Sequence, residues 1–150
     1  MKRKINLNPA HKRQEKEIVE KFRDLYTDFP KARIKSHESP DIQLLINRHK
    51  MIGLEIVRYS IPADNNDGLQ QLKRFDEDLL AELITQKEQK TENYQRIRYT
   101  SLWLLIAAGS MQRDALIIYP DGFEDLRVTT DFFDRVFFLD MRQRVLYNLQ

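Results

Sequence analysis

Two apolar runs of strand length, Ile42-Gln43-Leu44-Leu45-Ile46 and Met51-Ile52-Gly53-Leu54-Glu55-Ile56-Val57, flank a short polar turn from Asn47 to Lys50. This pattern predicts a β-hairpin. Asp41 stands at the start of the first run and Glu55 lies inside the second. Side chains alternate between the faces of a strand, so a hairpin can set both carboxylates on one face. An acid inside a buried strand is costly unless it is paired or holds a cation. This stretch therefore carries most of the functional information in the chain.

The rest of the chain bounds what surrounds the hairpin. A length of 150 residues points to one domain over residues 1–150, with 1–12 as a flexible arm. The 41% hydrophobic fraction is enough for a core, while 32% charged residues suit a soluble protein. The longest apolar run, Leu102 to Ala108, falls far short of the roughly 18 to 20 residues that span a bilayer. No apolar segment follows the basic start Met1-Lys2-Arg3-Lys4, so an ordinary secretory signal is not expected. The absence of cysteine removes disulfides and thiolate metal sites, and fits a reducing cytoplasm. A net charge of +2 does not by itself imply nucleic-acid binding. The row Lys31, Arg33, Lys35 and His37, if extended, lies on one side and could follow a phosphate backbone. Its plainer reading is a solvated edge.

Helical spacing of Ile18, Val19, Phe22, Leu25 and Tyr26 predicts a helix from Gln14 to about Asp28, before Pro30. The hairpin strands follow, then a polar loop from Ser60 to Gly68. Leu69, Leu72, Phe75, Leu79, Leu80, Leu83 and Ile84 predict one long helix from Leu69 to Lys90. Leu102-Trp103-Leu104-Leu105-Ile106 suits a central strand covered on both faces. Ala115 to Tyr119 reads as a strand or a buried helical turn, and Pro120-Asp121-Gly122 as a turn. Thr130 to Arg135 reads as a short capped helix and Val136 to Leu139 as a strand. Val145 to Leu149 reads either as its hairpin partner or as part of a C-terminal helix. This order of elements predicts a three-layer α/β domain, a central mixed sheet flanked by helices.

Pro40-Asp41, thirteen intervening residues, then Glu55 in a strand after Gly53 resembles the PD-(D/E)xK, or restriction-endonuclease-like, nuclease superfamily. Short bacterial proteins with Glu-x-Pro-Asp, a strand and Ile-Gly-Ile-Glu look similar to Glu38-Ser39-Pro40-Asp41 and Ile52-Gly53-Leu54-Glu55 here. The resemblance covers roughly residues 14–108 and implies a restriction-endonuclease-like fold and hydrolysis of phosphodiester bonds in DNA. It implies Mg²⁺ or Mn²⁺ held by Asp41, Glu55 and the Ile56 carbonyl. An acid of the first helix can complete such a site, with Glu20 first, Glu17 second and Glu38 as an alternative. Hard oxygen donors suit Mg²⁺, which polarises a phosphoryl oxygen and activates water. Lys35, Arg58, Lys73 and Gln71 are the candidate substrate-binding groups, with Gln70 beside them. DNA is the implied partner, and a second copy of the chain is another.

The chain departs from that pattern at Val57, where the family has its lysine. Arg58 is adjacent but points to the opposite face of a regular strand. Lys35 or Lys73 are the cations that could replace it. The departure opens an alternative, a catalytically inactive module that binds a protein partner or nucleic acid. Each acid also has a plainer reading. Asp41 after a proline can be a turn or capping residue. Glu55 can pair with Arg58, Arg96 or Arg98. Glu20 can be a solvated helix residue. His37 and His49 lack metal-ligand spacing. No phosphate-binding glycine loop, Gly-x-Ser-x-Gly elbow or paired His-Glu helix motif occurs.

Overall fold

A six-stranded mixed sheet carries the fold in the computed structural model, which describes residues 9–61, 72–91, 98–111 and 113–150. In chain order the elements are α1 (Pro9–Leu25), β1 (Arg33–Ser36), β2 (Ile42–Asn47), β3 (Lys50–Tyr59), β4 (Leu72–Arg74), α2 (Glu77–Thr91), β5 (Ser101–Ala108), β6 (Leu116–Ile118), β7 (Arg135–Asp140) and β8 (Val145–Asn148). The sheet order is β1-β2-β3-β5-β7-β8. β3, β5 and β7 run parallel to one another, and the outer strands join antiparallel. The fold is thus mixed α/β, a six-stranded sheet with two helices. No helix among the described residues is long and apolar enough to cross a membrane.

Period-2 alternation divides the core into two clusters. Ile42, Leu44, Ile52, Leu54, Ile56, Trp103 and Leu105 pack with Ile18, Val19 and Phe22 of α1. Tyr59, Leu102, Leu104, Ile106 and Phe138 pack with Leu80 and Ile84 of α2. β5 contributes to both clusters, which is why its sequence is apolar without alternation. By the same alternation Asp41, Gln43, Glu55 and Val57 belong to the face that α2 covers.

The hairpin, the central strand and β7 lie where the sequence places them, and of the two readings of Val145–Leu149 the structure takes the hairpin partner, β8. Ala115–Tyr119 resolves as the strand β6. Three expectations change. The helix α1 begins at Pro9, a residue suited to a first helical turn, so residues 9–12 are helix rather than arm. The helix expected from Leu69 begins only at Glu77. Leu72, Lys73 and Arg74 instead pair in parallel with Leu116, Ile117 and Ile118, and Leu72 is exposed. Asp76 then starts the helix, its Oδ1 accepting from the Leu79 amide at 3.1 Å. Leu69 itself lies outside the described residues. The segment Thr130–Arg135 forms no helix. Thr130 Oγ1 accepts from the Phe132 amide at 3.2 Å as a helix cap would. However, Asp134 is already claimed by β5, its amide donating to the Leu102 carbonyl and its Oδ2 accepting from the Leu102 amide, both at 2.8 Å.

Candidate functional site

β3 is longer than its neighbour. Its pairing with β2 ends where Ile42 faces Leu54, yet β3 continues to Tyr59. Beyond Leu54 that edge has no strand partner among the described residues. The Ile56 amide on the open edge donates instead to Asp41 Oδ2 at 2.8 Å. Asp41 thus replaces a missing strand with its side chain. The N–H and C=O of one strand residue point the same way, so the Ile56 carbonyl also faces this edge. Gly53 allows the approach. A Cβ there would lie 2.7 Å from Leu102 Cδ2 and 3.0 Å from Pro40 Cγ, so a side chain would press on Leu102 and crowd the proline that precedes Asp41.

The cation beside these acids comes from α2. Lys87 Nζ lies 3.2 Å from Asp41 Oδ2 and 3.0 Å from Glu55 Oε2. It reaches down onto the face where Val57 offers no charge. Glu55 is 2% exposed, and its Oε1 has no donor among the described residues. Burial, then the neighbouring Asp41 charge, pushes the Glu55 carboxyl up to about 8, with Lys87 opposing. Burial would also raise Asp41, but the Lys87 ammonium, the Ile56 amide and the adjacent Glu55 carboxyl outweigh it and hold Asp41 low. Burial works against the Lys87 charge, and Glu55 and Asp41 more than restore it. Of the two hairpin acids, Glu55 is thus the one that favours keeping its proton and Asp41 the one held ionised beside Lys87.

The helix acid at the site is Glu15, not Glu20. Glu15 is 3% exposed and continues the stripe Ile18, Val19 and Phe22 toward the N-terminus of α1. Burial and the nearby Asp41 charge raise its carboxyl. Lys12 Nζ lies 2.9 Å from Glu15 Oε1 as an ion pair without hydrogen-bond direction, and donates to the His37 and Asp41 carbonyls. Glu20 is half-buried on a different face of α1, Glu17 is exposed, and Glu38 is exposed in the loop before Asp41.

The other candidates separate. Arg58 points away from Glu55, as alternation requires, and donates to Gln14 Oε1 and to Met111 Sδ. Lys35 is exposed on the edge strand β1, opposite Gln43. Lys73 sits in β4 and pairs with Ile117, because the helix expected there is a strand. Gln70, Gln71 and Arg96 lie outside the described residues, and Arg98 is exposed. Two residues the sequence reading passed over, Glu15 and Lys87, occupy the site. Both carried the same signal, a charged residue in phase with an apolar helix stripe: Glu15 with Ile18 and Val19, Lys87 with Leu80 and Ile84.

A cavity of about 310 Å³ opens at this edge of β3, lined by Glu15, Asp41, Ile56, Val57 and Arg58 and, across it, by Leu83 and Lys87. Among the described residues no group of three or more His, Asp or Glu side chains is arranged to hold a metal ion. The chemistry present still fits Mg²⁺. That ion usually keeps several waters and takes one or two protein carboxylates rather than a full protein cage. Asp41 and Glu55 are hard oxygen donors, and Glu55 Oε1 has capacity left. Compared with protein-family models, with curated proteins and with solved structures, the chain matches none.

Proposed function

We propose that this chain is a metal-dependent phosphodiester hydrolase of the restriction-endonuclease-like type, acting on DNA. The observation that carries the reading is the convergence of Asp41, Glu55 and Lys87 beside the open Ile56 edge. The helices packing with opposite clusters of the sheet support the three-layer arrangement that such a reading needs. Asp41, Glu55 and the Ile56 carbonyl would hold Mg²⁺ or Mn²⁺. A divalent cation so placed supplies Lewis-acid polarisation of the phosphoryl oxygen and lowers the pKa of water. Asp41 is kept ionised, and so ready to bind a cation, by Lys87 and the Ile56 amide. Lys87 takes the part the family gives to the lysine at the Val57 position. Its ammonium stabilises negative charge as it develops on the phosphoryl group and orients the attacking water.

Titration calorimetry with Mg²⁺ and Mn²⁺, followed by cleavage of single- and double-stranded DNA, tests this. Saturable cation binding and cation-dependent cleavage, both lost in Glu55→Ala, are expected. A wild type that binds no cation, even with a short DNA present, sinks the proposal. One observation favours a second reading, a non-catalytic module that binds nucleic acid or a protein partner. Lys87 already bridges both carboxylates as a structural counter-ion would. In that case neither cation binding nor cleavage appears, and Lys87→Met is merely destabilised.

A further inference from the structure

The cavity is lined by two cations besides Lys87, and by the acids Asp41 and Glu15, the latter paired with Lys12. Lys87 answers the hairpin acids, but Arg58 and Lys90 line the same space from β3 and α2. Among the described residues the partners of Arg58 are neutral, the Gln14 amide oxygen and the Met111 sulfur. These contacts fix the guanidinium without neutralising it. Lys90 lies in the last turn of α2, on the exposed side of the cavity. The two cations thus reach one space from two elements, a space that Asp41 and Lys87 also line. Val57 and Leu83 add apolar surface to its lining. A void of about 310 Å³, bounded by one strand edge and two helices, has room for one backbone and not for a duplex.

We propose that this cleft seats a single polynucleotide strand, with Arg58 and Lys90 gripping phosphates on either side of the carboxylate pair. The inference rests on the hydrolase reading for its choice of ligand, and it names the substrate form, one unpaired strand. Val57 and Leu83 contact the sugar and base edge. The walls bind phosphate with no divalent cation present, because their charge is on side chains. DNA and RNA share the backbone chemistry that the cleft grips.

Fluorescence anisotropy of the full chain in EDTA tests this with short labelled DNA and RNA single strands, the matching duplex and a polyglutamate peptide, across a salt series. Wild type is expected to bind single strands more tightly than duplex or peptide. Arg58→Gln with Lys90→Gln is expected to weaken strand binding roughly tenfold or more and to flatten the salt slope by roughly 1.4, the loss of two phosphate contacts on a single strand. Lys90→Gln alone, at an exposed position, guards against misfolding and should give about half that change in slope. DNA binding above RNA, or the reverse, identifies the source of the strand. Equal or tighter duplex binding overturns the proposal, as does equal peptide binding or an unchanged slope in the variants. Calorimetry with Mn²⁺ on wild type, with Asp41→Asn as the control lacking a ligand, separates the two readings. Strand binding without cation binding in wild type sinks the hydrolase and leaves the cleft, and cation binding without strand binding does the opposite.

Discussion

Among the described residues the buried acids Asp114 and Asp140 and the site acids, half-buried Asp41 and buried Glu55, have different surroundings. Asp114 and Asp140 are satisfied by neutral donors. Asp114 accepts from the Ser60 hydroxyl at 2.6 Å and the Met111 amide at 3.1 Å. Asp140 accepts from the Tyr119 hydroxyl at 2.5 Å and from the Arg142 and Gln143 amides at 3.0 Å. Both oxygens of each carboxylate are used. Burial, then Asp140, pushes the Tyr119 phenol up, so it stays a donor. Asp41 and Glu55 instead share a lysine, and Glu55 Oε1 is left without a donor among the described residues. A buried acid whose oxygens are all occupied fixes a turn. One with an oxygen to spare and a cation beside it has capacity for chemistry.

The largest expected break in that contrast is catalytic. Under the proposed hydrolase reading, Asp41→Asn should lower cation-dependent cleavage on the order of 10³-fold, the scale of lost metal-centred charge stabilisation. Asp140→Asn should leave cleavage within about tenfold at a temperature where circular dichroism shows both variants folded. Equal losses would erase the distinction. Next is Lys87→Met, which strands the carboxylates without their cation. A loss of about 3–5 kcal/mol is expected in urea melts above pH 8. Adding Glu55→Gln should restore part of it.

The pH dependence follows from Glu55. Its folded value of about 8 lies above its ordinary 4.5, so the folded protein holds this proton more tightly. The resulting stability is fully present below 4.5 and is lost as pH rises to about 8. Asp41 is shifted the other way, so its contribution is lost only in acid, below its ordinary 3.8. Urea melts between pH 5 and 8 should therefore show wild type weakening more steeply than Glu55→Gln, by on the order of several kcal/mol, the slope left in the variant coming from the raised Glu15 carboxyl. At the satisfied pair, Tyr119→Phe should cost about 1–2 kcal/mol and leave cation binding unchanged by calorimetry. Glu20→Gln should change stability by no more than about 0.5 kcal/mol, because that side chain is away from the site.

Much of the sheet was legible because its signals are local. The two apolar runs around Asn47–Lys50 give the hairpin, although its register shifts by one residue between Leu45 and Asn47. Leu102–Ala108 is apolar throughout because both faces are covered. The start of α2 was not legible. Leu69, Leu72 and Phe75 continue the helical period, yet Leu72–Arg74 pairs with β6, a partner distant in sequence. A period read along the chain carries no information about that partner. Lys73 was placed near the site for this reason and lies elsewhere.

The sequence by itself showed that a hairpin can bring Asp41 and Glu55 to one face; the register shift between Leu45 and Asn47 makes it so, because the turn pairing Asn47↔Lys50 continued without it would set Asp41 opposite Ile56. The sequence also determined that Val57 supplies no cation there. Only the tertiary structure decided which helix residues come to meet them. Helix phase shows that Glu15 and Lys87 lie on buried stripes, but the packing of α1 and α2 against opposite clusters sets which turn reaches Asp41. That choice depends on long-range contacts, so it appears only once the chain has folded.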